Sequence, residues 1–532
     1  MAETMTVRQA TMALLREHGM TTVFGNPGST ELGFLDRWPN DIRYVLGLQE
    51  ASVVAMADGF ARATGRPALC NLHSAAGVGH ALGNVFTAFR NQAPVVITAG
   101  QQARGLLPGN PFLGATEAAS FPKPYVKWSC EPARAEDVPA ALAHAVHLAA
   151  QRPQGPTFVS IPSDDWQAPT RPLPPRRVSQ DVAPDPALLA DCAQALAAAR
   201  NPVLVIGPEV DAEGAGDAAV ALAEKLCAPV WASPFSARLS FPEDHALFAG
   251  HLAAAPPAVS NALAAHDLVL VLGAPVFTFH VAGDCALFRD GTPIWQVTPD
   301  AEALAAAGAG TGIQASLRLA LPALAALLPP TDRAPAPPRA RPAPPPAARP
   351  IAAEYLFHAL SRLLPEDAVV VEEAPSHRPA LQRHLPIRRW GGFYTMASGG
   401  LGYSLPAAVG VSLAHPGRRV CAIIGDGSMM YSIQALWTAA QHALPLTTIV
   451  VNNGGYGAMR SFSRVLGTEG VPGIDLPGID FVALARGMGC AGLRVEDPAH
   501  LPDALAAALR HAAPMVLDVA VDAAIPTLYH KG

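Results

Sequence analysis

Charge is scarce in this chain. Only 15% of its 532 residues are charged, and the formal net charge of −6 comes from interspersed signs. Without a basic stripe, the usual footprint of nucleic-acid or anionic-membrane binding is missing. The seven cysteines are scattered with no Cys-x-x-Cys pair. Neither a zinc site nor a disulfide framework is indicated, and a reduced, cytoplasmic compartment is expected. Long apolar runs are lacking too: the longest clean one, Leu268–Phe277, is too short to span a bilayer. The opening MAETMTVRQATMALLREHG reads as an amphipathic helix ending at Gly19, without a signal-peptide layout. No Gly-x-Gly-x-x-Gly follows a strand. The nearest approach, Gly308-Ala309-Gly310-Thr311-Gly312, follows an Ala-rich helical run and reads as a helix exit.

Hydrophobic residues, by contrast, make up half the chain, and its length is too great for one core. Two Pro-rich stretches, about Ala168–Pro186 and Pro329–Pro350, cannot form core elements and divide the sequence. They leave an N-terminal block (1–170), a middle block (185–328) and a C-terminal block (351–532), with 329–350 as a Pro/Ala-rich linker. Apolar runs at Thr21–Gly25, Tyr44–Leu48, Pro67–Leu72, Ala93–Ala99 and Thr157–Ile161 predict strands in the first block. Val203–Ile206, Val230–Ala232, Leu268–Leu272 and Ile294–Val297 predict them in the second, and Ala368–Val371 and Met515–Val519 in the third. Helical patterns such as Val7–His18 and Glu50–Thr64 alternate with them. This βα alternation predicts an α/β protein of three doubly wound, mainly parallel sheets.

Val420–Tyr456 is the most informative stretch. One apolar run ends in Gly425-Asp426-Gly427-Ser428, a helical pattern follows, and a second run ends in Asn452-Asn453-Gly454-Gly455-Tyr456. A strand–helix–strand unit of this kind places a carboxylate and a carboxamide at neighbouring strand exits, where parallel sheets bind ligands. Asp426, the Asn453 amide oxygen and the Gly455 carbonyl are hard oxygen ligands suited to Mg²⁺, which completes its shell with water and phosphate oxygens. No Gly-Lys-Ser/Thr accompanies them, so a Walker loop is excluded at this site. In Met396–Pro406 a glycine pair precedes bulky Leu401, so the Gly399 carbonyl and the Leu401 side chain could shape a bent ligand. Glu50 lies at the junction of an apolar strand and an Ala/Val-rich helix, with Asn26, Ser29 and His73 ending neighbouring strands of the same block. Ser29 has the plain alternative of a helix N-cap, and His80 that of a structural histidine.

Together these segments resemble the thiamine diphosphate-dependent decarboxylases and carboligases of 2-oxo acids. Gly25–Ser29, Leu48–Ala51, Asn71–Gly77, Thr98–Gln102, Gly273–Phe277 with His280, Gly400–Gly402 and Asn452–Arg460 with Phe462 look like the benzoylformate decarboxylase family. The resemblance spans nearly the whole chain. It implies thiamine diphosphate with Mg²⁺, or Ca²⁺ in its place, as cofactors. Asp426, Asn453 and Gly455 would hold the metal; Gly399, Leu401, Asp426, Gly427, Ser428, Asn453, Gly455 and Tyr456 would hold the cofactor. Glu50 would activate it, Ser29 would hold the substrate carboxylate, and His73 and His280 would move protons. The implied reaction is non-oxidative decarboxylation of benzoylformate to benzaldehyde and CO₂ through a C2 carbanion and an enamine. The implied assembly is a homo-oligomer, a tetramer, whose sites are shared between two chains. Phe112, Leu113, Thr395, Ala458, Met459 and Phe462 would line the substrate pocket. Thr395 stands where the family places an aromatic residue, and Pro375 where it places a hydroxyl, so the particular 2-oxo acid is the least constrained expectation. A carboligase or lyase like acetolactate synthase or 2-hydroxyacyl-CoA lyase is the alternative, and a Rossmann-type nucleotide-binding protein a more distant one.

Overall fold

The computed structural model describes residues 4–289, 291–334, 336–524 and 528. Its three six-stranded sheets are each entirely parallel. The N-terminal sheet runs Arg43–Leu46, Thr22–Gly25, Ala68–Leu72, Val95–Gln101, Thr157–Pro162, Trp128–Cys130. The middle sheet runs Phe248–His251, Val230–Ala232, Pro202–Ile206, Leu268–Leu272, Ile294–Thr298, Thr311–Gln314. The C-terminal sheet runs Phe393–Thr395, Val369–Glu373, Val420–Gly425, Leu446–Asn452, Met515–Ala520, Ala491–Val495. Every strand interior to a sheet was signalled by an apolar run, because helices cover both faces and leave no polar alternation. Edge strands carry a weaker signal: Trp128–Cys130, Phe248–His251, Thr311–Gln314, Phe393–Thr395 and Ala491–Val495 all escaped the pattern. Thr311–Gln314 corrects the reading of Gly308–Gly312 as a helix exit alone, since its last two residues begin an edge strand. Pro169–Thr170, inside the first Pro-rich stretch, pairs antiparallel with Met5–Thr6.

Counted within each block, the N- and C-terminal sheets share the strand order 2-1-3-4-6-5, whereas the middle sheet has 3-2-1-4-5-6. Each order contains a point where successive connections diverge, and ligands bind in the crevice opened there. In the N-terminal sheet it lies between the strands ending at Gly25 and Leu72, next to Ser29 and His73. In the C-terminal sheet it lies between those ending at Glu373 and Gly425, next to Asp426. The middle crevice is filled by the protein itself. A Cβ on Gly207 would fall 2.2 Å from the Gly273 carbonyl oxygen. Glu209 beyond it accepts from Thr298 at 2.6 Å and from Gln92 of the N-terminal block at 3.4 Å.

Equivalent helices of the two like sheets, Glu50–Thr64 and Ser404–Ala414, pack backbone against backbone. Added Cβ atoms at Gly59 and Gly410 would lie 2.2 Å from the Ala407 carbonyl oxygen and 2.0 Å from that of Met56. The same seam holds a buried polar group. Tyr403 donates to Asp58 at 2.5 Å, while Arg62 donates to Tyr403 at 2.7 Å, to the Thr395 carbonyl at 3.0 Å and to the Ala237 carbonyl at 2.6 Å. Arg238 of the middle block returns a bond to the Arg62 carbonyl and lies over Tyr394, as Arg62 does. All three blocks therefore meet at one guanidinium. The linker lies on protein along part of its length: Arg333 donates to the carbonyls of Leu196, Ala197, Ala199 and Leu226.

Gly59→Ala should destabilise the protein by at least about 1–3 kcal/mol, since the clash is with backbone and cannot relax by a side-chain rotation. Arg62→Met should lower it by about 3–5 kcal/mol by leaving Asp58 buried without its cation. Denaturant midpoints measure both; unchanged midpoints would show that the seam does not carry stability.

Candidate active site

At the C-terminal crevice the turn carrying Gly399 and Leu401 is set by an acid. Buried Glu373 accepts from the N–H groups of Gly402 at 2.6 Å, Tyr403 at 3.0 Å and Ser404 at 2.6 Å, satisfying the start of the following helix. Burial pushes its carboxyl up to about 7, against the pull of those three donors. Gly399 adopts φ +74°, open to glycine, and Leu401 beyond it is half-buried against the core. Asn84 donates to the carbonyls of both Ala51 and Gly402, tying this turn to the start of the Glu50 helix.

Across the crevice, Asp426 Oδ1 accepts from Gly427 N–H at 2.8 Å and Oδ2 from Gly455 N–H at 2.7 Å. Burial raises its carboxyl pKa; the Gly427, Gly455 and Gly454 amides oppose that. The Asn453 carboxamide oxygen faces Asp426 Oδ1 at 3.3 Å and the Gly455 carbonyl oxygen at 2.7 Å. Three oxygens thus converge with no donor among them. That arrangement is repulsive by itself, is relieved by turning the amide over, and becomes favourable around a hard cation. Among the described residues no three His, Cys, Asp or Glu side chains gather as a metal cluster, so this mixed carboxylate, carboxamide and carbonyl set is the fitting candidate. Gly427 is needed for space, because a Cβ there would meet the Tyr456 ring at 2.4 Å. Ser428 is buried beside it, and Tyr456 bonds to Tyr431. Ser376, not singled out from sequence, accepts from Ala458 N–H at 2.8 Å and fixes the helix carrying Met459 and Phe462.

On the N-terminal side His73 directly follows its strand. Its Nδ1 lies 2.9 Å from Glu31 Oε2 and 3.1 Å from Thr30 Oγ1. Glu31 is itself buried, accepting from Gly28 N–H at 2.7 Å, Gly100 N–H at 2.9 Å and Thr30 Oγ1 at 2.6 Å. Gly28 leaves room for the imidazole, which a Cβ would meet at 2.2 Å. Sequence reasoning missed Glu31; the acid three residues after Gly28 is a capping-box signal that could have found it. Ser29 opens this short turn and is exposed.

Glu50 begins its helix as expected, with Gln49 as the cap. Its Oε2 lies 3.2 Å from His80 Nδ1, and a Cβ on Gly77 would approach Oε1 to 3.4 Å. His80 is therefore a hydrogen-bonding partner of the candidate acid.

His280 lies outside any strand, in the loop after Leu268–Leu272, although it follows an apolar run in sequence; its N–H is bonded to the Ala254 carbonyl. Its ring stacks on Phe462 at 4.8 Å, bringing the middle and C-terminal blocks together. Leu113 is held beside His73 because Ser74 donates to its carbonyl, and Gln102 holds the Phe112 carbonyl at 2.8 Å. Phe112 is 87% exposed and Met459 51%. Thr395 is buried with its hydroxyl committed to Glu372 and Arg378.

The N-terminal, central and C-terminal domains of the thiamine pyrophosphate enzymes match residues 5–121, 189–324 and 374–519. The benzoylformate decarboxylase of Pseudomonas aeruginosa is 45% identical over 519 residues, covering 97% of this chain and 98% of that protein. Two solved structures superpose with TM-scores of 0.95. The benzoylformate decarboxylase of Polynucleobacter necessarius is 40% identical (98% of this chain, 99% of that one). The thiamine diphosphate-dependent 4-hydroxybenzoylformate decarboxylase of Rhodococcus jostii is 42% identical (98% and 100%). These matches define a thiamine pyrophosphate-dependent enzyme. Within that class the chain belongs to the benzoylformate decarboxylase family, whose members work with thiamine diphosphate and a divalent metal ion.

Two outcomes test the geometry. Gly427→Ala should displace Tyr456 and weaken binding of thiamine diphosphate with Mg²⁺ in calorimetry, and Tyr456→Ala in the same chain should restore part of it. For Glu373 the folded state holds its proton up to about 7, above the ordinary 4.5. Below pH 4.5 the group is neutral folded or unfolded and has no effect; as pH rises to 7 the folded state loses stability, on the order of 3 kcal/mol. Unfolding midpoints of Glu373→Gln should therefore gain on the parent protein across that window.

Proposed function

We propose that the protein is a thiamine diphosphate- and Mg²⁺-dependent decarboxylase of aromatic 2-oxo acids, converting benzoylformate to benzaldehyde and CO₂. The observation that carries this reading is the His73–Glu31 pair, a fixed proton-transfer group at one sheet crevice, in a chain whose like sheet presents the oxygen convergence at Asp426. When bound, the cofactor supplies the nucleophile and the electron sink for loss of CO₂. Asp426, Asn453 and Gly455 would hold the metal, with Gly427, Ser428 and Tyr456 around the diphosphate. Gly399 and Leu401 would support the bend, and Glu50 would hold the pyrimidine ring.

Ser29, exposed where it opens its turn, would take the substrate carboxylate. Glu31 engages His73 Nδ1, so Nε2 is the nitrogen left to deliver a proton to the carbon that loses CO₂. His280 serves the later proton step that frees the aldehyde. Phe462, Met459, Ala458, Leu113 and Phe112 supply apolar surface for the ring, with Thr395 behind the site. The filled middle crevice favours this reading over a flavin- or nucleotide-dependent carboligase.

Two chains share each site in this reading, within a homotetramer. Large exposed apolar side chains flank both half-sites: Leu48 and Phe112 near Glu50 and His73, and Met430, Tyr431 and Leu466 near the clamp. The compartment is read as cytoplasmic, in keeping with seven unpaired cysteines. No described helix is long and apolar enough to cross a membrane. The chain is divided functionally at 1–170, 185–328 and 351–532, with 329–350 as linker.

The decisive assay is CO₂ release from aromatic and aliphatic 2-oxo acids, with and without thiamine diphosphate and Mg²⁺. Turnover of benzoylformate that needs both additives is expected; ligated product without free aldehyde would overturn the reading. His73→Ala should lower kcat by roughly 10²–10⁴-fold, the effect of a lost acid–base group. Glu50→Gln should impair activation of the cofactor, and light scattering should give a mass near four times the 55.2 kDa chain.

A further inference from the structure

The strand Val230–Ala232 leaves the middle sheet through a tight turn, Ser233-Pro234-Phe235-Ser236. Ser236 N–H reaches the Ser233 carbonyl at 3.4 Å, and Phe235 adopts φ +55°. The position after proline in a turn of positive φ is one where glycine or asparagine is favoured, because a Cβ crowds the backbone there. A bulky aromatic in this conformation is an outlier. Burial does not account for it, since Phe235 is only partly covered.

The turn is locked from both sides. Ser240 donates to Ser236 Oγ at 2.7 Å, which in turn donates to the Arg238 carbonyl at 3.1 Å. The Ala237 carbonyl accepts from Arg62, and Arg238 donates back to Arg62 in the seam of the three blocks. Strained conformations persist where the surroundings over-determine them, and they gather at functional sites. Here the strained residue projects its ring to His280, with centroids 5.9 Å apart and planes inclined by 46°. Phe462 stacks on the same imidazole at 4.8 Å and 27°. A histidine on one loop is thus held between aromatics from another loop and from another block.

We propose that Phe235 is a positioning residue that fixes the plane and reach of the His280 imidazole, with Phe462 as its second support, and that the strained turn persists for this purpose. The inference rests on the role given to His280 in the proposed function. A glycine at the same place removes the ring and the strain together, so structure and function are separated by one substitution. In Phe235→Gly the thermal midpoint should be unchanged or higher. Its kcat for benzaldehyde formation should fall about tenfold, as expected from loss of an aromatic contact, with KM within about twofold. Phe235→Tyr should restore kcat. Parent-level kcat in Phe235→Gly, or a fall in thermal midpoint alongside the loss of activity, would overturn the proposal. A second readout does not depend on turnover: the rate of His280 carbethoxylation by diethyl pyrocarbonate, followed by mass spectrometry. Faster modification in Phe235→Gly supports the positioning role even if the parent proves inactive on 2-oxo acids; an unchanged rate refutes it whatever the substrate.

Discussion

The structure depends on a seam only one atom deep. Gly59 and Gly410 let the Glu50–Thr64 and Ser404–Ala414 helices meet main chain to main chain, and no other residue fits either position without moving backbone. The close approach brings Asp58, Arg62 and Tyr403 together out of water, where each would be costly alone and is tolerable because its partners satisfy it. Arg62 then reaches Thr395 and Ala237, so the contact between two blocks orients the third. The start of one helix carries Glu50 and the approach to the other carries Leu401. Packing at the seam therefore sets the spacing of Glu50 and Leu401 within one chain.

Chemistry is placed by the same economy at each sheet edge. At each crevice a buried carboxylate organises backbone amides and aims something else. Glu373 gathers three N–H groups and fixes the Leu401 turn. Glu31 gathers two N–H groups and a hydroxyl and aims His73. Asp426 differs, since beside its two backbone donors the Asn453 carboxamide oxygen faces both it and the Gly455 carbonyl oxygen. That residual repulsion makes the place suited to a divalent cation, which the thiamine pyrophosphate enzymes require beside the diphosphate.

The middle block has the strand order of a dinucleotide-binding sheet yet spends its crevice on internal contacts. Its contribution is made through loops. Arg238 anchors it in the seam, and two residues before, the strained turn presents Phe235 to His280. The middle block can thereby shape a candidate site whose proposed cofactor residues lie on the other two.

Sequence alone determined the class of fold and the residue types of the candidate site. Interior strands of buried parallel sheets are apolar without interruption, so all of them were legible, while five of the six edge strands, which mix polar and apolar positions, were lost and only Arg43–Leu46 was signalled. Asp426, Asn453, His73 and Glu50 could be found because each follows or opens a regular element, and sheet topology brings such ends together. Glu31 had only its capping-box spacing to Gly28 as a signal, and Ser376, His80 and Phe235 could not be weighed in the same way. Their importance comes from what they touch across 30 residues or more, or from a backbone angle, and neither quantity has a local signature. Only the folded chain decided that His80 meets Glu50, that the middle crevice is closed, and that His280 lies between two aromatic rings, because those facts depend on how three separately encoded sheets are turned against one another.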